Sequence, residues 1–257
     1  MQILLTNDDG IHAPGLRALC DELVALGDVQ VVAPAAEQSG VGLGITYLHP
    51  ILVKEELRDG RHFGWAVAGS PADCVKLGVL EFTRSRPELV VSGINSGANT
   101  GINVLYSGTV AGAIEGAFFG VTSMAVSLSL DEPPDYPRAA RLAVGLIRQL
   151  LEKKIDKGSL WNLNLPATRP DWPLGVKIAA LGVGRHVEVM EKRIDPRGRA
   201  YYWSGIDPME DHQMEPGTDV RELADGYITL SPLHFDITHP KSLERFGREE
   251  WTLPDLD

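Results

Sequence analysis

An apolar run at the start of the chain, Gln2 to Leu5, is followed by a helical pattern from Pro14 to Leu26 and by a second apolar run, Val29 to Ala33. Pro14 opens the helix, Leu16, Leu19, Leu23 and Leu26 recur at helical spacing, and Gly27 stands just past its end. Strand, helix and strand this close together form a βαβ unit, with parallel strands and a right-handed crossover. That unit commits the chain to an α/β sheet covered by helices, with its ligand site outside the carboxyl ends of the strands. The glycine spacing GxGxxG is absent after the first strand, which argues against a dinucleotide domain.

The residues at that carboxyl end are Thr6, Asn7, Asp8, Asp9 and Gly10. Two adjacent carboxylates on a tight loop repel each other and are most comfortable with a cation between them. Turn chemistry offers a second reading, in which one Asp caps the helix starting near Pro14 and the other faces water. The loop after the second strand, Ala35 to Gly44, is polar and glycine-rich and lies on the same edge. Ser39 brings either a hydroxyl to the site or only a turn residue.

Further along, Ile45 to Val53 and Phe63 to Val67 flank Asp59-Gly60 and predict a hairpin-like excursion. Ser70, Pro71 and Asp73 read as N-cap, N1 proline and N3 acid of a helix through Leu80. Leu89 to Ser92 is a parallel strand, followed by a long loop with Gly93, Asn95, Gly97, Asn99, Gly101, Ser107, Gly108 and Thr109 ahead of a helix from about Val110. Glycines and a helix start with a hydroxyl beside it make a phosphate site; a capped ordinary loop is the plainer reading. Met124 to Leu130 is a buried strand, Pro137 to Leu150 an amphipathic helix, and Leu160 to Leu165, alternating with Trp and Asn, a strand near the sheet edge.

Beyond Pro166 to Pro173 the pattern changes. Val187 to Ile194 and Ala200 to Ser204 flank the turn Asp195-Pro196-Arg197-Gly198-Arg199 and predict a protruding hairpin. Tyr227 to Ser231 is a last strand, and the tail from His234 to Asp257 is too poor in apolar residues for a core of its own; such an arm packs on a partner subunit.

A formal charge of −11 argues against nucleic acid as the partner, although a small phosphorylated substrate stays open if a metal supplies positive charge. Cys20 and Cys74, without metal or CxxC spacing, read as small buried hydrophobes. No basic-then-apolar leader precedes the first strand, so the cytoplasm is expected. Val110 to Leu130 is broken by Glu115, Gly116 and Gly120 and does not read as a membrane span.

Taken together, Asp8 and Asp9, Ser39 and Asn95 offer only oxygen, which selects a hard divalent cation such as Mg²⁺, Mn²⁺ or Ca²⁺. With Ser107, Gly108 and Thr109 beside them, the chemistry expected is metal-assisted attack of water on phosphorus. Candidate proton donors to the leaving group are His12, four residues past Asp8, and His234; a structural or surface role stands open for each.

NDDG, VVAP followed by SG, SPADCV, SGIN, YSGTVAGAIEG, DPRG with YYW, PGTD and GYITLSPLHFDIT resemble, in order and spacing, the motifs of the SurE family, the survival-protein nucleotidases. The resemblance implies a metal-dependent phosphatase of nucleoside 5′- and 3′-monophosphates, with short polyphosphate as a further substrate of some members. It implies a Rossmann-like core with mainly parallel sheet to about residue 165 and a C-terminal hairpin and arm, residues 166–257, that build homodimers or homotetramers from one 1–257 unit. One Mg²⁺ or Mn²⁺ per subunit falls on Asp8, Asp9, Ser39 and Asn95, and the phosphate side on Asn99, Ser107, Gly108 and Thr109. His234, in the PLHFD segment, joins Asp8, Asp9 and Asn95 as catalytic. Ala35-Ala36-Glu37 and the glycines Gly42 and Gly44 depart from the family's usual residues, which bears on substrate preference. Two other enzyme-like readings fit less well: NDDG lacks the Asp-x-Asp of a phosphoaspartate enzyme, and a phospho-acceptor module wants an Asp where Asn95 stands. A nucleotide sensor without turnover is the alternative from another class, and a phosphatase whose main substrate is short-chain polyphosphate is the alternative among enzymes.

Overall fold

Ile3, Leu4 and Leu5 are all fully buried, and their alternation sets the layering: Ile3 and Leu5 enter one core cluster and Leu4 another. A strand buried on both faces belongs in the middle of a sheet with helices on both sides. The computed structural model, which describes residues 1–130, 133–153, 155–169, 171–184, 188–206 and 214–254, places it there.

The first half of the chain runs β1 (Gln2–Thr6), α1 (Pro14–Leu23), β2 (Asp28–Pro34), β3 (Val53–Arg58), β4 (Arg61–Val67), α2 (Pro71–Leu77) and β5 (Leu89–Ser96). Then come α3 (Gly108–Phe118), β6 (Thr122–Leu128), α4 (Tyr136–Glu152), β7 (Leu160–Leu165) and β8 (Val176–Ile178). The rest is β9 (Glu188–Ile194), β10 (Ala200–Ile206), α5 (Asp219–Ala224), β11 (Ile228–Leu233) and α6 (Pro240–Phe246). Nine strands form one sheet in the order β3-β4-β2-β1-β5-β6-β7-β11-β8, and β9 and β10 form a separate antiparallel hairpin.

The pairs from β2 to β7 are parallel, with Ile3 opposite Val29 on one side and Leu89 on the other. Helices α1 and α4 cover one face around Leu16, Leu19, Leu23 and Ile147, while α2 and α3 cover the other. Burying one such leucine contributes roughly 1.5–3 kcal/mol. From β1 the chain steps outward to β2 and later returns to β5 on the opposite side, so a crevice opens beyond the carboxyl ends of β1 and β5. The expected α/β architecture with a mainly parallel sheet and a C-terminal hairpin is what the structure has.

Several boundaries differ from expectation. Helix α1 ends at Leu23 instead of Leu26, because Ala25 and Leu26 bond back only three residues, to Glu22 and Leu23. No strand forms over Ile45 to Leu52, and β3 begins only at Val53. α2 stops at Leu77 and continues as a wider turn from Gly78 to Phe82, closed by Thr83 N–H to Gly78 C=O at 3.0 Å. β6 starts two residues early, at Thr122. β7 is third from the edge, because β11 pairs with it antiparallel and β8 lies outside that. The short β8 and α5 have no strong periodicity in sequence. The tail forms α6, capped by His239, which accepts from Ser242 N–H. Pro170, His186, Val187, His212 and residues 255–257 lie outside the described residues. Among the described residues no helix is long and apolar enough to cross a membrane.

Candidate active site

Backbone geometry at the ends of β1 and β5 builds the site. β5 shifts register against β6 between Ser92 and Asn95, and at Gly93 φ is +144°, a conformation disfavoured for L side chains. A Cβ there would fall on the Val126 carbonyl oxygen, so only glycine fits the bulge that carries Asn95 to the strand end. Ser96 N–H then donates to Asp9 Oδ2 at 3.2 Å, tying the loop after β5 to the loop after β1.

Asp8, 3% exposed, is held by the first turn of α3: Thr109 N–H donates to Oδ2 at 3.0 Å and the Thr109 hydroxyl to Oδ1. A carboxylate here also meets the positive end of the helix. Gly108 is part of the same fit, since a Cβ on it would stand 2.8 Å from Asp8 Cβ. The expectation that Thr109 holds phosphate through its N–H is therefore corrected: that donor and its hydroxyl belong to Asp8. Ser107 is the N-cap, its Oγ accepting from Val110 N–H at 3.2 Å. Among the described residues, the Gly108 N–H and the Ser107 O–H have no protein acceptor. These are the donors the helix start offers to an anion.

The acids lack compensation. Burial pushes the Asp8 carboxyl above its ordinary value even against the bonds from Thr109. Asp9 is pushed up to about 6, first by burial and then by the charge of Asp8. Glu37 adds a third negative field to both. Among the described residues no Lys, Arg or His forms an ion pair with Asp8 or Asp9. Nor do three His, Cys, Asp or Glu side chains converge as a metal cluster there. A cation would therefore rest on two carboxylates and neutral oxygens. Asn95 fits that set: its Nδ2 donates to Gly97 C=O at 2.7 Å, which leaves Oδ1 as the free atom. Ser39 is exposed and its hydroxyl donates to Glu37 Oε1 at 2.7 Å, not to the acid pair. Its loop is nonetheless joined to the pair, because Gln38 N–H donates to Asp8 C=O at 2.7 Å.

Asn99 is also corrected. Only 8% exposed, it turns inward, its Nδ2 donating to Ser127 Oγ at 2.9 Å. Its backbone is clamped by Asn164 Oδ1 at 2.8 Å and by the amides of Asn162 and Asn164 at 2.7 and 3.1 Å. It shapes the phosphate-side loop from behind. His234 does not reach the site. β11 runs antiparallel, Leu233 lies opposite Leu160 at the start of β7, and His234 therefore sits at the amino-terminal edge, about 20 Å from the carboxyl ends. It stacks on Phe235, which packs on Phe118 at the far end of α3. His12 is 64% exposed on the loop after β1, with Nε2 3.8 Å from Glu56 on the edge strand β3.

Sequence reasoning missed Glu37 and Gln38 as neighbours of the acid pair, Asn162 and Asn164 as clamps, and Asp219, whose oxygens accept from Gly101 and Gly182 N–H at 2.9 and 2.8 Å. Two asparagines two residues apart inside an apolar strand were the available signal, since buried amides need partners.

The model of the survival protein SurE family matches residues 3–188. The chain belongs to the SurE family. A relative called 5′-nucleotidase SurE, from Rhodopirellula baltica, is 51% identical over 98% of this chain and 99% of its own. Another of that name, from Syntrophobacter fumaroxidans, is 43% identical over 98% and 100%. The crystal structure of the SurE protein from Aquifex aeolicus superposes with a TM-score of 0.82 at 36% identity, covering 95% of this chain and 98% of that one. The SurE match runs through β1, β2, β5 and the start of α3, the elements that carry the acid pair and its neighbours.

Proposed function

We propose that this SurE-family chain is a divalent-metal-dependent phosphomonoesterase that hydrolyses nucleoside 5′-monophosphates, and 3′-monophosphates as well, to nucleoside and phosphate. The observation that carries the reading is an uncompensated acid pair, Asp8 buried and Asp9 half-buried, beside a helix start with free donors. The names of the SurE relatives support the nucleotide as substrate.

Asp8, Asp9, Asn95 and Ser39 would hold one Mg²⁺ or Mn²⁺, Ser39 by releasing Glu37. Such an ion supplies positive charge for the phosphoryl oxygens and acidity for water. The chain does the rest. Thr109 fixes the Asp8 carboxylate so that no reorganisation is needed at the moment of reaction. Gly108 N–H and Ser107 O–H take phosphoryl oxygens, and the clamps on Asn99 and Gly101 keep that loop in place. Of the two candidate proton donors to the leaving oxygen, His12 on the loop after β1 is the one retained, since His234 lies at the opposite edge of the sheet.

Metal binding should be visible without turnover. Asp9, with its folded pKa raised from 3.8 to about 6, binds more protons folded than unfolded in that interval, so the metal-free protein loses stability as pH rises through it. A cation removes that cost. At one hundred times its Kd it adds about 2.7 kcal/mol, or roughly 5–10 °C in Tm at pH 7.5, and the gain shrinks as pH falls below about 6. Calorimetric scans at pH 7.5 and 5 check this; an equal gain at both would contradict it.

Exposed Met190, Ile194, Tyr202 and Trp203 on the hairpin and Ile237, Trp251 and Leu253 in the tail support residues 166–257 as an oligomerisation extension of one 1–257 unit. β8 and β11 of that extension also complete the main sheet. Two free cysteines support a reducing, cytoplasmic location. The test of function is phosphate release from a panel of nucleoside 5′- and 3′-monophosphates and short polyphosphate, with EDTA and with metal restored. Turnover of monophosphates only with metal is expected; tight nucleotide binding without turnover would make the chain a sensor.

A further inference from the structure

We propose that Asp73 is a positioning residue for the substrate's leaving group, pinning the wall of a cleft beside Asp8 that receives the nucleoside; this rests on the nucleotidase reading above. Between the loop after β2 and the start of α2 lies an open cleft of about 540 Å³, lined by residues that include Ala36, Gln38, Val41, Ile45, Val67 and Ser70. Its size falls within the range of small-molecule sites. None of its lining residues is charged, which suits a neutral base and sugar and leaves a polyphosphate chain without counter-charge.

Gln38 joins the wall of the cleft to the acid pair: its N–H donates to Asp8 C=O at 2.7 Å while its own carbonyl faces Gly108. The outer wall, Val41 to Thr46, has no regular structure and is held at few points. Gly42 N–H donates to Tyr106 C=O at 3.1 Å, and Thr46 N–H donates to both oxygens of Asp73 at 3.0 Å each. Asp73 is 1% exposed and closes the capping box of α2 with Ser70, whose N–H donates to it at 2.9 Å. The same carboxylate thus caps a helix and latches a loop. Burial pushes its pKa up, but the bonds from Thr46 and Ser70 outweigh this and hold it below the ordinary value, so at neutral pH it is ionised and acceptor-only.

Asp73→Asn keeps one acceptor and turns an amide N–H toward a donor. Thr46→Pro removes the loop's N–H and leaves the cap intact. The measurement is calorimetric binding of adenosine, guanosine, cytidine and uridine, and separately of inorganic phosphate, to each full-length variant with Mg²⁺. The expected result is at least a tenfold weaker nucleoside Kd in Asp73→Asn and Thr46→Pro, with phosphate Kd within twofold of wild type. A nucleoside Kd unchanged in either folded latch variant overturns the proposal, as does a parallel loss of nucleoside and phosphate. Wild type that binds phosphate but no nucleoside overturns the cleft assignment, whereas loss of the nucleotidase reading itself would show as absence of turnover under every metal.

Discussion

Asp8→Asn is expected to lower kcat/KM for a nucleoside 5′-monophosphate by about 10³-fold or more, about 4 kcal/mol of transition-state stabilisation, while Tm holds or rises. The change removes half of the charge available to a cation. It also places an amide N–H against Thr109, which already points two donors at this side chain. Stability moves the other way because the native carboxylate is buried without a basic partner and its pKa is raised, so its charge costs the metal-free fold free energy. A residue kept for function at the expense of stability should show that opposition in one variant. Phosphate release and thermal unfolding check it; activity within a few-fold of wild type would remove Asp8 from the mechanism.

Gly108→Ala should cost about 10²-fold in the same assay, from a single methyl group. The new Cβ would stand 2.8 Å from Asp8 Cβ, 2.9 Å from Asp8 Oδ2 and 3.2 Å from the Gln38 carbonyl oxygen. Helix propensity favours alanine by up to about 1 kcal/mol, so any loss reports the displaced carboxylate and not a weakened helix. A shift of about 1 Å in a catalytic group is enough for an effect of this size. Gly145→Ala in α4 is the matched control, because nothing lies within 4 Å of its added Cβ, and it should leave activity unchanged and raise Tm slightly. Equal activity in both variants would mean that the Asp8–Gly108 contact is not part of the site.

The layering was legible because strong physical signals are local. Leu16, Leu19 and Leu23 write the buried face of α1 into the sequence, and Ser70 with Asp73 writes the start of α2. Asp8, Asp9 and Asn95 could be grouped from the sequence because strand order places their loops at one edge. What was not legible depends on distant partners. Asn162 and Asn164 alternate with leucines as in a strand near the sheet edge, and only the fold shows β11 paired outside them and their amides bonded to Asn99. His234 follows a strand whose direction no local pattern states, and antiparallel pairing with β7 sends it to the wrong edge. Thr109 looked like an anion donor because the sequence does not show that Asp8 already occupies it.

The most direct measurement is a Mn²⁺ titration of chelated protein at pH 7.5, following bound ion and phosphate release from a nucleoside 5′-monophosphate in the same samples. The expected result is turnover that rises in step with occupancy and saturates at one ion per chain, with both signals lost in Asp8→Asn. Full turnover without bound metal, or a filled site without turnover, would contradict the assignment of the Asp8–Asp9 pair.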